Sequence, residues 1–120
     1  MAGPIINRIV LYVRDMPKVA AFYQRHFGFI AHESLAKDKI NLVAPAGGCG
    51  LVLLQASKGH RVGQSNVKIV FDVADVAGFK AAKAEEGLKF GVIHKGPGYE
   101  FSNARDPAKN LIQISSGFLA

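Results

Sequence analysis

One pattern of elements occurs twice in this chain of 120 residues, at an offset of 60 positions. The first copy opens with an apolar, β-branched strand predicted over Ile5–Val13, followed by Asp15 and a helix predicted over Met16–Phe27. The second copy opens with a strand over Val67–Val73, followed by Asp75 as a helix cap. A repeat of this length predicts two copies of one supersecondary unit, because each copy alone is too small to bury both faces of its sheet.

Three short strands complete each copy after its helix. They are predicted over Phe29–Leu35, Ile40–Ala44 and Leu51–Gln55 in the first copy, and over Phe90–Lys95, Tyr99–Arg105 and Leu111–Ser115 in the second, whose helix covers Val76–Glu86. The same 60-residue offset aligns Leu51 with Leu111. The sequence therefore predicts one α+β domain of two tandem β-α-β-β-β modules, residues 5–56 and 67–116, that form a curved mixed sheet with a cleft. A polar, glycine-containing linker is predicted at 57–66.

Composition excludes several function classes. The net charge is +6, but residues 1–60 carry 7 basic and 3 acidic side chains and residues 61–120 carry 8 and 6, never in a run, so we expect no nucleic-acid partner. No apolar run reaches the roughly 20 residues that span a bilayer, and we expect no membrane partner. The single cysteine, Cys49, excludes an internal disulfide. With no signal-peptide pattern at the start, we expect a cytoplasmic protein.

Three motifs resemble the vicinal oxygen chelate superfamily, which includes glyoxalase I, bleomycin-resistance proteins and extradiol dioxygenases. They lie in Ile9–Phe29 (strand, aspartate-capped helix, then Phe-Tyr and Phe-Gly), in Ile69–Val76, and in the Asp-Pro-x-x-Asn turn of Asn103–Ile114. The resemblance extends from Ile5 to Ser115 and implies the glyoxalase/bleomycin-resistance fold. It also implies a homodimer, which would cover the sheet edges and apolar surface of so small a chain.

The resemblance also implies where a metal would bind. In metal-using members four ligands come from the first and fourth strands of each module, usually histidine and glutamate, and these positions fall here on Arg8, Lys68, Leu53 and Gln113. Arginine, lysine and leucine do not ligate divalent metals, and glutamine is a poor ligand. We therefore predict no metal site and no cofactor. The alternative is a divalent metal held by non-standard ligands.

Strand alternation assigns side chains to the cleft face of the predicted sheet. This face takes Arg8, Val10, Tyr12, Leu51, Leu53, Gln55, Lys68, Val70, Asp72, Leu111, Gln113 and Ser115. The opposite face is uniformly apolar and is predicted to pack on the helices; it takes Ile9, Leu11, Val13, Val52, Leu54, Ile69, Phe71, Val73, Ile112 and Ile114. An apolar cleft with a few polar groups is typical of a small-molecule site.

The predicted ligand-binding residues are Arg8, Tyr12, Gln55, Lys68, Asp72, Phe101 and Gln113. On one hypothesis Arg8 and Lys68 form a cationic pair that binds an anionic or carbonyl-bearing small molecule. On the other, the same two cations and Asp72 form a structural ion network. The histidines His26, His32, His60 and His94 lack metal-motif spacing, and we interpret them as surface or core residues.

Three functions remain open on the sequence alone. The first is a metal-free small-molecule binder that resembles the drug-sequestering bleomycin-resistance proteins. The second is a metal-dependent lyase or dioxygenase of the same superfamily, with Gln113 and a histidine from elsewhere as ligands. The third is a metal-free enzyme with Tyr12, Asp72 or His94 as acid or base. No catalytic residue is assigned.

Overall fold

The computed structural model describes residues 3, 5–33, 36–59 and 61–117. The chain divides into two compact units, Met1–Val62 and Gly63–Ala120. The predicted strand end at Ser34 and Leu35 and the predicted linker histidine His60 lie outside the described residues. Among the residues described, no helix is long and apolar enough to cross a membrane.

The first unit contains one helix and a mixed four-stranded sheet. Its elements are β1 (Arg8–Val13), α1 (Met16–Phe27), β2 (Ile30–Glu33), β3 (Lys39–Val43) and β4 (Gly50–Gln55). The strand order is β1-β4-β3-β2, with β1 and β4 parallel and the other pairs antiparallel. The predicted start of β1 at Ile5 is wrong, because pairing begins at Arg8 opposite Gly50 and Ile5 is 82% exposed.

Helix α1 has the predicted bounds because both of its ends are capped. The Asp15 side chain accepts a hydrogen bond of 3.1 Å from the Lys18 amide, and Gly28 ends the helix in the left-handed conformation at φ 71°. One face of the helix packs against β3 and β4, burying Met16, Val19, Ala20, Tyr23 and His26. This packing closes one face of the first sheet with apolar contacts.

The second unit repeats the arrangement. Its elements are β5 (Lys68–Asp72), α2 (Val76–Glu85), β6 (His94–Gly96), β7 (Tyr99–Arg105) and β8 (Leu111–Ser115), in the sheet order β5-β8-β7-β6. Strands β5 and β8 are parallel and the others antiparallel. The fold class is therefore α+β, with one four-stranded mixed sheet and one helix in each module, as predicted.

Strand β6 is shorter than predicted. The sequence places its start at Phe90, but Phe90 is buried and pairing begins only at His94. The intervening carbonyl of Gly91 accepts hydrogen bonds from Ser102 Oγ at 2.8 Å and Lys80 Nζ at 2.7 Å. The Gly91 amide donates a backbone hydrogen bond of 2.8 Å to the Asn103 carbonyl of β7, but the regular pairing of β6 with β7 starts at His94.

The offset between the two copies is not constant. Asp15 and Asp75 each cap a helix, 60 residues apart, but Val52 and Gln113 hold equivalent places in their sheets: Val10 pairs with Val52 and Val70 with Gln113. The predicted alignment of Leu51 with Leu111 is therefore wrong by one residue. The cause lies before β7: Asn41 pairs with Val52 and Asn103 with Gln113, so β3 and β7 are offset by 62 residues. The connection 106–110 is one residue shorter than 44–49 and reduces this offset to 61.

Candidate functional site

The first sheet has a face that α1 does not cover, which we call the Arg8 face. The register places on it Arg8, Val10 and Tyr12 of β1, Val52 and Leu54 of β4, Asn41 of β3 and His32 of β2. Val10 and Tyr12 are 45% and 46% exposed, although both are large and apolar for much of their surface. Lys39, opposite Leu54, lies on the same face, which thus combines exposed apolar groups with two cations, an amide and an imidazole.

Part of the predicted cleft face is wrong in this module. Strand β1 pairs Ile9 with Leu51 and Leu11 with Leu53, so these leucines lie on the helix-packed side, and Leu53 is fully buried. Gln55, predicted to bind ligand, pairs with Val13 on that same side. Its amide donates 2.8 Å to the Arg14 carbonyl, a backbone contact. Conversely Val52 and Leu54, predicted to pack on the helix, lie on the Arg8 face.

A cavity of about 410 Å³ opens on the Arg8 face. Its lining includes Arg8, His32, Asn41, Val43 and Val52, with Gly48 and Gly50 from the β3–β4 hairpin. Gly50 stands opposite Arg8, and a Cβ there would approach the Leu42 carbonyl oxygen to 3.0 Å. Because glycine leaves this position without a side chain, the Arg8 guanidinium has open space beside it.

The second sheet has the corresponding surface, which we call the Lys68 face. The register places on it Lys68, Val70 and Asp72 of β5 with Leu111, Gln113 and Ser115 of β8, as predicted. Strand β7 adds Phe101, Asn103 and Arg105, and β6 adds His94 opposite Phe101. Whether these side chains bind a ligand stays a prediction, but their common face is now established.

Specific contacts order the Lys68 face. Gln113 Nε2 donates a hydrogen bond of 2.9 Å to Asn103 Oδ1. The rings of His94 and Phe101 stack with centroids 5.1 Å apart and planes at 26°, and Tyr99 stacks on Phe101 at 5.9 Å and 26°. Beside this aromatic group a second cavity of about 330 Å³ is lined by Asp72, Val73, Ala74, Ser115 and Ser116.

The structure excludes the pair Lys68–Asp72 from the structural ion network that was predicted as an alternative. Lys68 and Asp72 are the first and last residues of β5, and at about 3.3 Å per residue they stand ~13 Å apart. This separation is too large for an ion pair between them. In the described part of the second module, salt bridges instead join Lys83 to Glu86 and Lys95 to Glu100.

The positions that would hold the superfamily's metal carry an unsuitable set of donors. The strand register assigns these positions to Arg8, Val52, Lys68 and Gln113, because Val52 and not Leu53 is equivalent to Gln113. Two cations, a valine and an amide that is already bonded to Asn103 do not fit a divalent ion. Over the described residues, no three His, Cys, Asp or Glu side chains cluster closely enough to hold a metal.

Sequence reasoning missed five polar residues of these faces: His32, Lys39, Asn41, Asn103 and Arg105. A signal for two of them was present, because Asn41 alternates with apolar Ile40 and Leu42, and Asn103 alternates with buried Ser102. Only the strand pairing, however, shows that Asn41 shares a face with Arg8 and that Asn103 shares a face with Lys68.

This sequence matches the Glyoxalase/Bleomycin resistance protein/Dioxygenase superfamily over residues 5–114, and the chain belongs to that superfamily. Its fold is similar to that of lactoylglutathione lyase from Agrobacterium tumefaciens, with a TM-score of 0.76 and 21% identity over 98% of this chain and 96% of that one. It is also similar to TnmS3, an antibiotic binding protein from Streptomyces sp. CB03234 (TM-score 0.78, 19% identity, 95% and 96% covered).

A third similar structure is a superfamily member from Sphaerobacter thermophilus, with a TM-score of 0.75 and 19% identity over 93% and 96% of the two chains. No curated protein sequence matches this chain significantly. The structural likenesses show a shared fold at low identity. Because one fold supports many functions, they do not show what this protein binds.

Proposed function

We propose that this protein binds a small anionic organic molecule on its Arg8 face without using a metal. The observation that carries the proposal is the cavity of about 410 Å³ beside Arg8, lined by both polar and apolar side chains. Its volume lies in the range of small-molecule sites, roughly 300–1,000 Å³. The relation to TnmS3, an antibiotic binding protein, supports a binding role within this fold.

The residues around the cavity suit an acidic ligand with an apolar body. A guanidinium presents paired N–H donors that match carboxylate or phosphate oxygens, and Arg8 is exposed at the cavity. Asn41 and His32 add groups that donate or accept hydrogen bonds. Val43 and Val52 provide apolar contact. Lys68 is proposed to supply the equivalent charge in its own module, and Tyr12 further contact on the Arg8 face.

The experiment is a calorimetric titration of the full chain with 2-naphthoate and with its neutral counterpart 2-naphthamide, each with and without EDTA. We expect the carboxylate to bind more tightly than the amide, and EDTA to leave both unchanged. Arg8→Ala should weaken 2-naphthoate binding at least fivefold. The matched variant Arg61→Ala removes an exposed arginine outside the cavity lining and should change the affinity for 2-naphthoate less than twofold.

Two results would overturn the proposal. Equal affinity of naphthoate and naphthamide, or an Arg8→Ala variant that binds as the native chain does, removes the role of the cation. Stoichiometric metal in the purified protein, with binding abolished by EDTA, would favour instead the metal-dependent lyase or dioxygenase with non-standard ligands.

We also propose a homodimer in the cytoplasm. Each sheet ends in two edge strands, β1 and β2 in the first and β5 and β6 in the second, whose outer backbone groups have no ladder partner within their own sheet. Light scattering coupled to size exclusion tests the dimer: a mass near 26 kDa is twice the chain mass of 12.9 kDa and is the expected result. A mass near that of one chain would contradict it.

A further inference from the structure

We propose that the Lys68 face is a binding site for an elongated aromatic anion, which lies along the strands with its ring at the His94–Phe101 end and its acidic group at Lys68. The inference rests on the proposed function in one respect: both assume that ligands bind on the sheet faces that do not pack on the helices. It names a second set of residues and a ligand shape.

The aromatic end of the face is a group of three rings. Phe101 contacts both His94 and Tyr99, with an interplanar angle of 26° to each. Phe101 and Tyr99 are half-buried, and His94 is exposed. The next residue across the sheet from Phe101 is Ser115, a small side chain that borders the cavity of about 330 Å³. A ligand ring can therefore lie above Ser115 and contact the edge of Phe101 in an edge-to-face arrangement.

Two glycines fix the position of Tyr99 within this group. A Cβ at Gly96 would collide with the outer edge of the Tyr99 ring, coming to 2.7 Å from its hydroxyl oxygen. A Cβ at Gly117 would collide with the Tyr99 side chain near its base, with the ring carbon Cδ2 at 3.0 Å. Glycine at both positions lets the ring lie against the backbone. This arrangement holds the aromatic surface in place before any ligand binds.

The middle of the face is the Asn103–Gln113 pair, one row along the strands from Phe101 and Ser115. Their mutual hydrogen bond uses an N–H of Gln113 and the side-chain oxygen of Asn103. The Asn103 N–H groups and the Gln113 oxygen are left for a carbonyl, hydroxyl or amine in the central part of a ligand. Both residues are half-buried, which strengthens such bonds relative to a fully exposed pair.

The two ends of the Lys68 face carry charges of opposite sign. Asp72 stands in the row of Phe101 and Ser115, whereas Lys68 and Arg105 stand in the row at the other end, opposite Leu111. The two ends are ~13 Å apart along β5. An anion is therefore repelled at the aromatic end and attracted at the Lys68 end, so an elongated anion binds in one orientation.

The test uses the fluorescent dye 6-(p-toluidino)naphthalene-2-sulfonate, whose ring system and sulfonate lie at opposite ends, titrated into the full chain. We expect Lys68→Ala to weaken its binding at least fivefold, and Phe101→Leu at least fivefold through the lost aromatic contact. Lys89→Ala removes an exposed lysine outside the strands and serves as the matched control, with a change below twofold. The compact dye 1-anilinonaphthalene-8-sulfonate should lose less affinity in Lys68→Ala, because it cannot reach both ends.

Unchanged dye affinity in Lys68→Ala and in Phe101→Leu, with native far-UV circular dichroism, would overturn the inference. So would equal losses of the two dyes in Lys68→Ala, which removes the argument from length. Arg8→Ala separates this inference from the proposed function. Naphthoate binding that depends on Arg8, beside dye binding that is indifferent to Lys68, leaves the proposed function in place and refutes only the site on the Lys68 face.

Discussion

The Gln113 amide nitrogen donates a hydrogen bond of 2.9 Å to the side-chain oxygen of Asn103, joining β8 to β7 across the centre of the Lys68 face. Gln113 stands where metal-using relatives are expected to carry a glutamate. A carboxylate at this position has no N–H to donate, so the Asn103 amide would have to turn and donate its own N–H to keep a hydrogen bond.

A double-mutant cycle on this pair measures its contribution. We expect Asn103→Ala and Gln113→Ala to be coupled by about 0.5–1.5 kcal/mol in the free energy of unfolding, the net value of one hydrogen bond. Urea unfolding followed by circular dichroism gives the four stabilities. The pair Asn103 and Lys89, which are not hydrogen-bonded, provides the control cycle, and a coupling there as large as that of Asn103 and Gln113 would contradict the assignment.

Gly96→Ala should loosen the aromatic group without unfolding the module. The new methyl group would occupy the space of the Tyr99 ring, so the ring has to move away from its place beside Phe101. We expect at least a threefold loss of toluidinonaphthalene sulfonate affinity, measured by fluorescence titration. Gly59→Ala, with open space around its Cβ, is the control and should leave binding unchanged.

Gly78→Ala should have different effects on stability in two backgrounds. Alanine normally stabilises a helix by ~1 kcal/mol over glycine, but here its Cβ would lie within 2.9 Å of the Asp75 carboxyl carbon and displace the cap that bonds to the Gly78 amide. In the native chain we therefore expect no gain. In Asp75→Ala, where the cap is already lost, the same change should raise the free energy of unfolding by ~1 kcal/mol. Equal effects in both backgrounds in urea titrations would show that the cap is not displaced.

Asp106→Ala should be strongly destabilising, because its buried carboxylate organises the β7–β8 hairpin. The carboxylate accepts hydrogen bonds from the Ala108 amide at 2.9 Å, the Asn110 amide at 2.8 Å and the Asn110 side chain at 2.9 Å. Losing these bonds should cost about 2–4 kcal/mol in urea unfolding. Asp106→Asn keeps one acceptor oxygen and should cost less. Asp38→Ala, at an exposed turn, should stay within ~0.5 kcal/mol of the native chain.

The helices could be predicted from the sequence far better than the register of β4. Asp15 and Gly28 fix both ends of α1 through local hydrogen bonds and a left-handed residue, so short-range chemistry was enough. Strand β4 reads Gly-Leu-Val-Leu-Leu-Gln, with no alternation of apolar and polar residues to show which side chains face the helix. The placement of Leu53 and Gln55 was therefore wrong. In β8, polar Gln113 between two isoleucines supplied the alternation, and its face was predicted correctly.

On the Arg8 face, the candidate site was predicted only where a strand position repeats between modules. Arg8 and Lys68 both begin a first strand, and that much follows from the repeat. Asn41 reaches the same cavity through the antiparallel pairing of β3 with β4, and His32 through the pairing of β2 with β3. The pairing of β3 with β4 depends on the length and conformation of a six-residue hairpin connection. Sequence alternation within one strand carries no information about its partner's register.

The two hairpin connections differ in how freely they can change. A buried carboxylate fixes the segment 106–110, so few sequence changes are tolerated there. Gly47 and Gly48 turn the β3–β4 connection at positive φ, and a Cβ at either glycine would meet open space. That connection also borders the cavity beside Arg8. Insertions there would reshape the entrance while the sheet beneath stays intact, so this short segment is where descendants of the same chain would acquire different ligand preferences at the least cost in stability.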